Sequence, residues 1–376
     1  MYFQAVASCL ALTSAVTAQQ IYDVWSTTWD RSDLFTYTNL SPNPIDFVTP
    51  GATGSADIVV NDGTVYQDMI GFGASLTDAS AQVLSELKST NSDNYWDILN
   101  YMFDPTDGAD AAGLTYIRVP LGASDFSANT YSFDDTSGDT NLDDFNINNA
   151  PSYLYDTLKD IVGINSLLKI HILPWSPNEP QNSDTTYPTC SISASQEAAI
   201  GTQLRSLMDS NGFSDTIIIG YEHNWNDAGD GAMWNLALNG LGEPKLPGTD
   251  SCGTPCRPIV TVNSNGTYNY NQEFYSAAQA SKAILPKDSG GPFGQRIEVT
   301  VNGDLNWGLI VSGFVTNRVN SSDWPRYSLV VLNWDDQPNG SWDPTPITAT
   351  IEFRGMQATY TFPVGVTTLW WYGSPQ

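Results

Sequence analysis

The chain has 376 residues, with 14 Lys+Arg against 41 Asp+Glu and a formal charge of −27. That balance excludes nucleic-acid binding by phosphate neutralisation and argues against adhesion to anionic membranes. Only 15% of residues are charged while 41% are apolar, a globular composition whose polar surface must come largely from Ser, Thr, Asn and Gly.

Residues 1–18 carry no charged side chain, and the apolar run Ala5 to Leu12 precedes the small-x-small triplet Val16-Thr17-Ala18. This predicts a secretory signal cut near Ala18 and an extracellular protein. No later stretch stays apolar for about 18 residues, so no membrane span is expected. Beyond the signal remain Cys190, Cys252 and Cys256. The last two are spaced to close a small disulfide loop, which leaves Cys190 odd. With only His171 and His223 and no Cys-x-x-Cys pair, no metal site is expected. Sequons at Asn39, Asn265, Asn320 and Asn339 permit N-glycosylation. The acidic stretch Asp134 to Asp144 lacks the calcium-loop spacing and reads as a solvated loop.

From residue 67 to 245, β-rich runs alternate with helical periodicity. Strands are expected at Met69–Ala74, Thr115–Pro120, Leu168–Pro174 and Thr216–Glu222, with a further short block at Ala232–Leu238. Helices are expected at Asp78–Leu87, Tyr95–Phe103, Tyr153–Ile161 and Ser195–Asn211. Such alternation predicts a parallel sheet of (β/α) barrel type with its working face at the strand C-termini. After about residue 257 the texture changes to short strands at Ile259–Val262, Arg296–Val301, Leu309–Val315, Tyr327–Asn333, Ile347–Phe353 and Ala358–Phe362. These predict an antiparallel β-sandwich over 246–376, completed by a strand from residues 19–66. The fold class is therefore α/β plus all-β.

The run Gln67-Asp68-Met69-Ile70-Gly71-Phe72-Gly73-Ala74-Ser75-Leu76-Thr77-Asp78-Ala79 resembles glycoside hydrolase family 30, which includes β-1,6-glucanases, glucosylceramidases and glucuronoxylanases. Further blocks follow in the family's order: Ile117-Arg118-Val119-Pro120 with Ser124-Asp125-Phe126-Ser127, Leu173-Pro174-Trp175-Ser176-Pro177, Asn178-Glu179-Pro180, and Met233-Trp234-Asn235-Leu236-Ala237-Leu238. The chemistry of such enzymes requires two carboxylates about 5–5.5 Å apart, one protonating the glycosidic oxygen and one attacking the anomeric carbon. The resemblance assigns the acid/base to Glu179 and the 2-hydroxyl contact to Asn178. It makes Trp175 and Trp234 apolar walls for a sugar ring, Asp78 an acceptor for sugar hydroxyls, and Arg118 the cation that keeps the nucleophile ionised. No cofactor is implied, and the partner is a polysaccharide or glycolipid substrate bound by a monomer. The plainer roles are core packing for the two tryptophans, a helix N-cap for Asp78, a buried ion pair for Arg118 and a turn for Asp125.

The chain departs from the family in two places. The Thr-Glu segment that carries the nucleophile is not found, and the blocks at Pro177 and Asn178 are fused directly, with three prolines in seven residues. From Met69 to Leu238 there are 170 residues, whereas an eight-unit barrel takes about 250. The expectation is a barrel short of two internal blocks, with Glu222 a weak substitute nucleophile. The leading reading is a secreted retaining β-glucanase, best matched to β-1,6-glucan, whose own competence is in doubt. The alternatives are a glucosylceramidase-type β-glucosidase and a non-catalytic carbohydrate-binding remnant.

Overall fold

The computed structural model describes residues 19–49, 56–124, 126–139, 141–174, 193–219, 237–239, 258–305, 308–334 and 344–375. In chain order the strands are β1 (Gln20–Thr28), β2 (Thr36–Asn39), β3 (Ile45–Asp46), β4 (Ile58–Asp68), β5 (Gly73–Ser75), β6 (Tyr116–Leu121), β7 (Lys169–Pro174), β8 (Ala237–Asn239), β9 (Val260–Val262), β10 (Tyr268–Tyr270), β11 (Gln295–Val301), β12 (Leu309–Thr316), β13 (Arg326–Asn333), β14 (Ile347–Phe353), β15 (Met356–Phe362) and β16 (Gly365–Tyr372). The helices are α1 (Asp78–Thr90), α2 (Ser92–Phe103), α3 (Ser152–Ile164), α4 (Ala194–Ser210) and α5 (Gln272–Ile284). The chain divides into two compact units, one formed by residues 1–69 with 286–376 and the other by residues 70–285. The divisions fall at Met69/Ile70 and Leu285/Pro286, where the sequence places them at 66/67 and 245/246.

The first unit is one ten-stranded sheet in the order β15-β14-β4-β11-β12-β13-β16-β1-β2, with β3 also on β1. Period-two burial drives it: along β14, Ile347, Ala349, Ile351 and Phe353 are buried while the residues between them are not. The segment after β3 pairs Val48 with Gln357 of β15 through two 2.8 Å backbone hydrogen bonds, so the sheet curls until its ends meet. The expected sandwich is in this respect corrected: the strands belong to one continuous curled sheet, and β4 and β14 pair in parallel within it. Its core holds Ile58, Leu329, Ile351, Phe353, Leu369 and Trp371. Strand β16, unforeseen from the sequence, lies between β13 and β1, and its neighbouring Thr367 and Thr368, which point to opposite faces, are both buried.

Beyond the core, the Arg318 guanidinium donates two hydrogen bonds to Asp288, at 2.7 and 2.8 Å, and the Val319 N–H adds a third at 3.0 Å. These donors hold the Asp288 carboxyl down at about 2, the Arg318 hydrogen bond being the largest cause. Because the folded value lies below the ordinary one, the stabilisation is present above about pH 4 and is lost as the pH falls toward 2. An NMR titration of Asp288 should give a midpoint near 2, and Arg318→Gln should return it to the usual carboxylate range. An unmoved midpoint in that variant would assign the depression to the backbone donor instead.

In the second unit, β5, β6 and β7 form a parallel sheet in that order, with α1 and α2 after β5 and α3 between β6 and β7. The three helices are tied together by Asp160, which accepts from Lys88 at 2.5 Å and from Tyr95 at 2.6 Å. A second sheet holds β10-β9-β8, so Ile259–Val262, expected in the sandwich, pairs here instead. Among the described residues the two sheets share no strand pairing, and no closed barrel is formed. The expected strand Met69–Ala74 shrinks to Gly73–Ser75. Gly71 sits at φ +143°, outside strand geometry, and a Cβ there would lie 2.4 Å from Thr115 Oγ1. At Gly73 a Cβ would fall 1.5 Å from the Tyr116 carbonyl oxygen, so only glycine lets β5 approach β6. The expected strand over 216–222 is also corrected: residues 216–219 are irregular, with Ile217 83% exposed, and 220–222 lie outside the described residues. Helix α5, not anticipated, carries a buried Lys282 whose Nζ donates to the carbonyls of Ala109 and Ala111.

Candidate functional site

The parallel register aligns Ser75 of β5 with Arg118 of β6, and Arg118 with His171 of β7. Ser75 is the last residue of β5, whereas Arg118 and His171 are each the third of six residues in their strands, so the three mark the level at which β5 ends. Arg118 is 7% exposed, and its carbonyl accepts from Leu76 N–H at 2.8 Å, which carries the chain from β5 over toward α1. His171 stands edge-on to Tyr116 with ring centroids 5.9 Å apart.

Asp78 opens α1, but it is not the cap. Thr77 is, its side chain accepting from the Ser80 N–H. That leaves the Asp78 carboxylate available for tertiary contacts, and its Oδ2 accepts from Ser127 Oγ at 2.5 Å and Tyr131 OH at 3.0 Å. The Ala79 N–H, one of the unpaired donors of the first helical turn, donates to the Phe126 carbonyl at 2.9 Å. Within the loop, Ser124 N–H donates to Ser127 Oγ and Ala123 N–H to the Tyr131 carbonyl, both at 3.0 Å. The loop after β6 is thereby fastened onto the start of α1. Asp78 is 3% exposed, and burial raises its carboxyl above the ordinary value, with the Ser127 and Tyr131 hydrogen bonds pulling the other way.

The structure thus brings Asp78 and Arg118 to the same end of the β5–β6 pair. Glu179, Asn178, Trp175 and Trp234 lie outside the described residues, as do Asp125, Glu222 and the three downstream cysteines. Tyr131 was not foreseen as an Asp78 partner, since nothing local in the sequence links residues 53 apart. Ser127 stood within a recognised block without a role. Among the described residues no group of His, Cys, Asp or Glu is arranged to hold a metal ion. A separate cavity of about 500 Å³ lies between α2 and β10, lined by Asp97, Tyr101, Asp104 and Tyr268, and includes none of the expected site residues.

Residues 69–194 match the family profile described as the glycosyl hydrolase family 30 TIM-barrel domain. The chain is 31% identical over 130 residues to a candidate glucosylceramidase, number 4, of Caenorhabditis elegans, covering 34% of this chain and 24% of that protein. It is 31% identical over 113 residues to endo-1,6-beta-D-glucanase BGN16.3 of Trichoderma harzianum, covering 29% of this chain and 22% of that one. The matched stretches therefore span about a quarter of the length of these relatives. In fold the chain is similar to SrfJ of Salmonella typhimurium, with TM-score 0.69 at 15% identity over 94% of this chain and 99% of that one. It is also similar to the endo-beta1,6-glucanase BT3312, with TM-score 0.64 at 18% identity over 95% of this chain and 100% of that one. The chain resembles glycosyl hydrolase family 30, and no helix among the described residues is long and apolar enough to cross a membrane.

Proposed function

We propose, from the resemblance to glycosyl hydrolase family 30, that the chain represents a secreted retaining glycoside hydrolase acting on β-linked glucan, with β-1,6-glucan as first substrate. The observation that carries this is the family match over residues 69–194, which contains Asp78, Arg118, Trp175, Asn178 and Glu179. In this reading Glu179 is the general acid/base and Asn178 the ligand of the sugar 2-hydroxyl. Trp175 and Trp234 pack against sugar rings, and Arg118 supplies positive charge beside the nucleophile. Asp78 contributes first by fixing the Ser124–Tyr131 loop at the mouth of the sheet, because its Oδ2 is already engaged there. The protein works as a monomer, without a metal or cofactor.

The reading also holds that this chain lacks two strand-helix units and, with them, its nucleophile. Exposed apolar surface supports it. Among the described residues strand β7 ends the parallel sheet, with Ile170 and Ile172 44% and 56% exposed, and α4 presents Ile200, Leu204 and Leu207 to solvent. Further barrel units would bury such faces, and an open edge invites foreign pairing. The test is release of reducing sugar from β-1,6-glucan by the purified chain, by its Glu179→Gln variant, and by a form carrying the additional units after Pro177 and near Gly229. The expected result is turnover by the extended form alone, abolished there by Glu179→Gln. Turnover by the chain as it stands would overturn the missing-nucleophile reading, and no turnover by either form on any β-glucan would overturn the enzyme reading.

The match to a candidate glucosylceramidase over 130 residues favours one second reading, a β-glucosidase of glycolipids. Faster release of glucose from glucosylceramide than from glucan by the same extended form would select it. A chain that binds β-glucan while neither form turns over would instead be a non-catalytic carbohydrate-binding protein.

A further inference from the structure

Four sequons are present, at Asn39, Asn265, Asn320 and Asn339, and the fold treats them differently. Asn265 lies in the exposed turn between β9 and β10. Its Oδ1 accepts from the Thr267 hydroxyl at 2.6 Å and from the Thr267 N–H at 3.1 Å. Asn320 is exposed in the turn between β12 and β13, and its Oδ1 accepts from the Ser322 hydroxyl at 2.9 Å and from the Ser322 N–H at 3.2 Å. At both positions the carbonyl half of the amide is occupied by the residue two places on, while Nδ2 makes no hydrogen bond among the described residues.

Both turns are anchored from behind. The Gly266 carbonyl accepts from Asn94 Nδ2 at 2.7 Å, which fastens the Asn265 turn to the start of α2. The Asn320 turn follows directly on Arg318 and Val319, both bonded to Asp288. A bulky group on Nδ2 at either site would extend into solvent without breaking a tertiary contact. Asn39 differs: it lies in strand β2, and its Oδ1 takes only the Ser41 N–H, at 2.8 Å. Asn339 lies outside the described residues.

We infer that Asn265 and Asn320 are attachment sites for N-linked oligosaccharide. The inference rests on the proposed secretory route, because the sugar donor is found only behind the membrane, and it is independent of any hydrolase activity. In the transfer, Asn Nδ2 attacks the anomeric carbon of a lipid-diphosphate-linked oligosaccharide. The new C–N bond replaces the C–O bond to the diphosphate, the lipid diphosphate leaves, and one amide proton passes to the transferase's base. The requirement for a hydroxyl at the second residue is met by Thr267 and Ser322.

The test is expression of the full chain in a eukaryotic secreting host, with peptide mass spectrometry on both the secreted and the cell-retained protein after enzymatic glycan release. The expected result is conversion of Asn265 and Asn320 to Asp in the released peptides. Thr267→Ala and Ser322→Ala should each abolish the conversion at its own site only, and Thr267→Ser should retain it. Recovery of both asparagines unmodified would overturn the inference. So would a chain found entirely in the cytosol, or conversion that survives the hydroxyl-removing variants.

Discussion

Asp78→Ala is expected to destabilise the second unit by about 2–4 kcal/mol and to free the loop after β6 from the start of α1. The carboxylate is 3% exposed, and its Oδ2 is the shared acceptor for Ser127 Oγ and Tyr131 OH. Removing it leaves two hydroxyl donors in a space that water does not readily enter, and each orphaned donor costs about 1–3 kcal/mol. Urea unfolding followed by circular dichroism measures the loss, and a double-mutant cycle with Tyr131→Phe isolates the coupling. A loss below about 0.5 kcal/mol would mean that the loop is held by the Ala79–Phe126 backbone bond alone.

The same group gives a pH dependence. Burial raises its folded value above the unfolded one, so the native state holds the proton longer than the unfolded chain does. Its contribution to stability is therefore full below the unfolded value and declines as the pH rises through the folded one. Asp78→Asn removes this decline, and the variant's stability relative to the parent should rise between acid and neutral pH. The opposite slope would show that the two hydroxyl bonds outweigh desolvation.

Trp371→Ala is expected to cost the first unit about 3–5 kcal/mol, as large aromatic truncations in packed cores do. Trp371 is fully buried and meets Tyr327 at 5.8 Å, Phe47 at 5.6 Å and Phe353 at 5.4 Å between ring centroids. These partners come from the segment after β3, from β13 and from β14, so the indole joins parts of the curled sheet that are far apart in sequence. Its Nε1–H is buried without a hydrogen-bond partner among the described residues, so the ring packs while one polar atom carries a desolvation cost. Trp371→Phe should lose much less than the alanine variant, because it gives up contact area but also removes that unmet donor. Urea midpoints with unchanged m-values would establish the order Ala far below Phe. Equal losses for the two variants would show that volume alone matters at this site.

The portions of this protein legible in the sequence were those set by local periodicity. Helices α1, α3 and α4 follow their apolar spacing and end within a few residues of expectation, and β14 alternates buried and less buried positions throughout its length. The family blocks also pointed to Asp78 and Arg118, and the structure places these two at the same end of the β5–β6 pair without testing their roles toward a sugar. Helix α5 was missed although Phe274, Ala278 and Ser281 repeat at helical spacing, because the surrounding Gly, Pro and Asn turns read as a β-rich region. What only the tertiary structure decided was everything resting on pairs distant along the chain. It placed β4 between β14 and β11, joined Val48 to Gln357, and moved β9 from the expected sandwich to a sheet with β8. It also gave the Asp78 carboxylate to Ser127 and Tyr131, where the sequence had offered a helix cap. The physical reason is common to all four. A strand's alternation states which face it buries but not against which neighbour, and a buried carboxylate states that it needs donors but not where along the chain they lie.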